Sequence, residues 1–76
     1  MLALSSKWIE KLAVQPETGM GYHVVSVILQ DGQRFDNVVV NQGYITQIRH
    51  MKSIPFREED IGDIIVTHNK WDFSKD

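Results

Sequence analysis

Apolar residues change their period along this chain. At its start Leu4, Trp8 and Leu12 recur every four residues, with Ile9 and Ala13 alongside and Lys7, Glu10 and Lys11 elsewhere on the surface. Side chains four apart stack on one face of an α-helix, so the spacing is helical. Ser5 or Ser6 stands where a hydroxyl oxygen can accept a first-turn amide hydrogen that no carbonyl reaches. Pro16 ends the segment, because proline has no amide hydrogen and forces its predecessor out of helical geometry. The pattern predicts one amphipathic helix over about residues 5–14.

Beyond Gly21 the residues become β-branched and aromatic, and Asp31-Gly32 separates two such stretches as a hairpin signal. A two-residue turn there sets Ile28 opposite Phe35, Ser26 opposite Asn37, Val24 opposite Val39 and Tyr22 opposite Asn41 on one face. The other face pairs Val27 with Asp36, Val25 with Val38 and His23 with Val40. Neither face is uniformly polar, which predicts a strongly curled sheet or small barrel with the helix over one opening, or a second face held in a dimer. Gln42-Gly43 then turns the chain into a third strand over Tyr44–His50 and brings Asp36 to face Arg49. Met51–Asp60, with Pro55 and the run Arg57-Glu58-Glu59-Asp60, reads as a connection with one helical turn, and Ile61–His68 as a returning strand. The expected fold is α+β and a single domain over residues 1–76: an N-terminal helix followed by a curled, small-barrel-like antiparallel sheet of four or five strands within the β-rich residues 22–73.

The stretch Val27-Ile28-Leu29-Gln30-Asp31-Gly32-Gln33-Arg34-Phe35 resembles the first half of the Sm1 pattern of Sm-like barrels, and Ile61-Gly62-Asp63-Ile64-Ile65 is similar to part of their Sm2 pattern. The resemblance implies an N-terminal helix, a bent meander and a returning strand, and it brings single-stranded RNA binding forward as an alternative function. Asn37 stands where that family usually has glycine after the phenylalanine, and Ile61 precedes Gly62 where a basic residue is usual. The family's acidic-apolar-asparagine element for uridine is not recognisable, so its RNA site is not carried over.

Composition narrows the picture further. A chain of 76 residues buries only about 60% of its unfolded surface, so its core is economical or completed by a partner, and self-association is in view. With no cysteine, disulfides, thiolate metal sites and cysteine nucleophiles are excluded. Met1-Leu2-Ala3-Leu4 is apolar but lacks a basic flank and is broken by Ser5-Ser6, which predicts no leader, no membrane span and a cytoplasmic protein. A net charge of −2 with eight dispersed basic residues gives no general attraction to phosphate, which places nucleic acid second to a protein partner or self-association.

No catalytic, cofactor or metal residues are assigned. His23, His50 and His68 show neither HxH nor HExxH spacing, and Glu58-Glu59-Asp60 with Asp63 lacks the alternating donors and glycine of a calcium loop. Gly19 and Gly21 lack the strand-to-helix context of a nucleotide fingerprint. Ser26 sits on no nucleophile elbow and reads as a polar partner of Asn37. The expected function is therefore non-enzymatic: an interaction domain or homo-oligomeric accessory protein that uses a sheet edge or apolar face. Trp8 reads as a core anchor. Trp71 and Phe73 read as core anchors or, functionally, as an aromatic clamp, while Arg34 and Arg49 beside Tyr44, with Lys52 and Arg57, are the best residues for RNA.

Overall fold

The computed structural model describes residues 1–71. Strand β1 (Leu2–Ala3) precedes helix α1 (Ser6–Ala13); β2 (Tyr22–Leu29), β3 (Arg34–Asn41) and β4 (Tyr44–Ile48) form a meander, and a 3-10 turn over Glu58–Asp60 leads into β5 (Ile61–Val66). All pairings are antiparallel and the strand order is β1-β4-β3-β2-β5. The sheet curls into a half-barrel, as the mixed burial pattern predicts. Two-residue β1 carries no periodic signal and was not expected.

The inner face holds Val25, Val27, Leu29, Val38, Val40, Ile45, Ile48, Ile61 and Ile64, over which α1 lays Trp8 and Leu12. Ser5 occupies the helix N-cap, but its side chain makes no capping bond. Its amide instead donates to Glu58 Oε1 at 3.2 Å, tying the helix start to the 3-10 turn. The connection after β4 also contributes to packing: Phe56 is buried with its ring centroid 5.2 Å from that of Phe35.

The hairpin register differs from expectation in an instructive way. Leu29 rather than Gln30 closes the turn, its N–H bonding the Gln33 carbonyl and its carbonyl accepting from Gly32 N–H, so three residues form the loop and Gly32 takes φ +95°. Near the turn Val27 therefore pairs with Phe35 and Ile28 with Arg34, one residue off the expected register. A β-bulge then sets Asp36 and Asn37 against Ser26, with Asn37 at φ 54°, and restores the expected pairs from Val25–Val38 to Tyr22–Asn41. Asp36 does not face Arg49, because a second bulge, at Thr46 of β4, moves the β3–β4 register by one residue. Its carboxylate accepts from buried Ser26 Oγ at 2.5 Å and Arg34 Nε at 2.9 Å, while the Arg49 amide bonds the Asn37 carbonyl at 3.1 Å. The second turn forms as expected, with Gln42 and Gly43 both at positive φ (51° and 82°), as a type I′ hairpin requires.

Trp8 is 5% exposed beneath the helix, with the Lys7 and Lys11 ammonium groups 4.6 and 5.8 Å from its ring centroid. Trp8→Ala is expected to destabilise the domain by about 3–5 kcal/mol. Chemical denaturation measures this, and a loss below about 1 kcal/mol would contradict the placement of Trp8 in the core.

Candidate functional site

The strand order leaves β1 and β5 at the two edges. β1 is two residues long and offers little template, whereas β5 runs for six. Which β5 groups face outward follows from the ladder. The Thr67 amide bonds the Val24 carbonyl at 3.2 Å, so by alternation Thr67, Ile65 and Asp63 point their backbone groups at β2, and Val66 and Ile64 point away. Across the free side lies a groove of about 240 Å³ bounded by Lys11 and Gln15 of α1. Ile65, 41% exposed, projects from the middle of the strand.

One outward group is already occupied. The Ile64 N–H donates to Asp63 Oδ1 at 2.8 Å, and the same oxygen receives the Lys11 ammonium at 2.5 Å. Such a carboxylate guards an edge, because an incoming strand must compete for the amide hydrogen it holds. The Lys11 hydrogen bond, with help from the Ile64 N–H and the Lys11 and Lys7 charges, holds the Asp63 carboxyl below its ordinary range against an opposing effect of burial. Both side chains are about half exposed, at 44% and 50%, so the pair contributes only about 0.2–1 kcal/mol. With a lowered folded-state pKa, that contribution is present above the unfolded value and is lost as pH falls through the folded one.

A second feature is a cleft of about 310 Å³ between α1 and the β3–β4 hairpin. Ile9, Leu12, Ala13, Val40 and Gly43 form its apolar wall, and Glu17 and His23 lie at its polar end. His23 Nε2 stands 3.1 Å from the Gln15 carbonyl, which can only accept, so Nε2 carries the hydrogen and donates.

The residues singled out from the sequence do not converge. Arg34 belongs to the Ser26–Asp36 cluster at the β3 bulge. Ser26 thus pairs with Asp36 rather than with Asn37, because the bulge moves Asn37 out of register. Arg49 does meet Trp71, its guanidinium carbon 5.6 Å from the ring centroid. Residues 67–71 reach that position by crossing the outer sheet face: Thr67 and His68 bond Val24, and Asn69 Nδ2 donates to Asn37 Oδ1 at 3.2 Å. Tyr44, 43% exposed, lies at the opposite end of β4 from Arg49, beside Gly43 of the cleft. Phe73 lies outside the described residues. Arg57 pairs with Glu59 at 3.3 Å rather than joining a basic patch. Sequence reasoning missed Lys11 and Asp63 because they are 52 positions apart, and only the fold order brings the helix beside β5.

Among the described residues no three His, Cys, Asp or Glu side chains gather as a metal site, and no helix is long and apolar enough to cross a membrane. No protein-family model matches the chain, and comparisons with curated proteins and with solved structures gave no significant match.

Lys11→Met is expected to raise the Asp63 titration midpoint toward the ordinary 3.8, as followed by side-chain carboxyl NMR. An unchanged midpoint would mean that Lys11 does not hold this carboxylate.

Proposed function

We propose that this protein is a small non-enzymatic interaction module that joins a second copy of itself through the open edge of β5. The supporting observation is the outward orientation of the Ile64 and Val66 backbone on a six-residue edge that pairs with no further strand among the described residues. Two such edges meet about a two-fold axis with identical groups supplied by each copy. In antiparallel register each Val66 N–H donates to the Ile64 carbonyl of the other copy, and the two Ile65 side chains face each other on the axis. That arrangement gives an exposed isoleucine a partner. The remaining two bonds use the Ile64 N–H and form when Asp63 releases it, so Asp63 limits the affinity.

The resemblance to Sm-like barrels extends to a curled small-barrel architecture. Its RNA-binding implication is the weaker reading, because Lys11, Arg34 and Arg57 are each engaged by a carboxylate, out of eight basic residues. These pairs, found among the described residues, and the net charge of −2 weaken the attraction to phosphate on which counterion release depends.

Size-exclusion chromatography with light scattering, from about 10 μM to 1 mM, tests the proposal over the range of weak association. The expected result is a dimer whose fraction rises with concentration. Val66→Pro should remain folded, since its N–H faces away from β2, yet stay monomeric. Asp63→Ala should tighten the dimer about threefold or more by freeing two amide hydrogens. A wild-type and Asp63→Ala protein monomeric throughout, or a Val66→Pro protein that dimerises normally, would refute edge pairing. Submicromolar binding of uridine-rich RNA at about 0.15 M salt would favour the RNA-binding alternative instead.

A further inference from the structure

The cleft between α1 and the β3–β4 hairpin lies apart from the β5 edge, and its chemistry is of a different kind. Its apolar wall is built from the helix side chains Ile9, Leu12 and Ala13 and from Val40. Gly43 keeps its mouth open: a Cβ there would stand 3.0 Å from Ile9 Cδ1, and the φ of +82° makes any side chain costly. Ile9 is 42% exposed at the rim, and Met20, next to lining residue Gly21, is 98% exposed, so apolar surface continues outward from the cleft. The volume of about 310 Å³ is at the lower end for small-molecule sites and suits a ligand with a single ring or short alkyl body.

The polar end sets the sign of the ligand. Glu17 is the only formally charged residue lining the cleft, and it is an acceptor. His23 commits its Nε2–H to the Gln15 carbonyl, and in the neutral ring Nδ1 is then an acceptor. Gln42, which also lines the cleft, carries both an amide donor and a carbonyl acceptor and so sets no sign, while the negative charge of Glu17 beside the apolar wall matches an apolar body carrying a hydrogen-bond-donating cation. From this juxtaposition we infer that the cleft is a binding site for small amphipathic primary amines, with the apolar body against Ile9, Leu12 and Val40 and the ammonium toward Glu17.

The test uses the full chain and three probes of nearly equal size: 2-phenylethylamine, 2-phenylethanol and 3-phenylpropionate, titrated at neutral pH and followed by amide NMR. Saturable shifts centred on Gly21 and Gly43 are expected for the amine. It should bind about two- to fivefold more tightly than the alcohol, the range of one exposed ion pair, with the carboxylate weakest. Glu17→Gln should bring amine and alcohol to equal affinity. Ala13→Leu, which fills the cleft from a helix position, should abolish the shifts for all three. Absent or scattered shifts, equal affinity for amine and carboxylate, or binding that survives Ala13→Leu would overturn the inference. Val66→Pro should bind the amine normally, which separates this result from the fate of β5-edge pairing.

Discussion

The structure depends on one extra residue in each of three strands. Phe35 and Val38, Ile45 and Ile48, and Ile61 and Ile64 each lie three positions apart, yet every one of them packs against the same core. In a regular strand, residues three apart point to opposite faces, because the side-chain period is two. The bulges at Asp36–Asn37, at Thr46 and at Gly62 reverse the phase once in β3, β4 and β5 and bring both members of each pair inward. Each also bends its strand, and together they curl the sheet into a half-barrel that α1 covers with Trp8 and Leu12.

Local chemistry accommodates each irregularity. Asn37 adopts positive φ, where asparagine is tolerated better than most residues, and the bulge it creates is filled by the Ser26–Asp36–Arg34 hydrogen bonds. These bonds lower the Asp36 pKa, with Ser26 the larger cause and Arg34 the second, so the carboxylate stays ionised as an acceptor for Ser26, which has no exposure to water. At Gly62 a Cβ would meet the Gln30 backbone at 3.4 Å, an ordinary contact, where β5 swings toward the hairpin loop. A curled sheet that remains open presents β5 as an edge, and the proposed self-association rests on that edge.

Much of this was legible in the sequence. The helix stripe, Pro16, the Gln42-Gly43 turn and the succession of strands are local signals, and the mixed polarity of the hairpin faces correctly implied curvature. The three-residue Gln30-Asp31-Gly32 loop and the bulge that compensates it were not legible, since two opposite one-residue shifts leave Tyr22 opposite Asn41 either way. The three-apart apolar pairs are the signal from which the bulges can be read. The Lys11–Asp63 contact and the cleft required the tertiary order, because each joins the helix to strands far along the chain.

Amide hydrogen exchange along β5 tests the account most directly. In dilute protein the Ile65 and Thr67 amides, directed at β2, should exchange slowly and the Val66 amide quickly; raising the protein concentration should slow Val66 selectively as a second copy pairs with it. A Val66 amide protected as strongly as that of Ile65 in dilute solution, or one indifferent to concentration, would contradict the open, self-pairing edge.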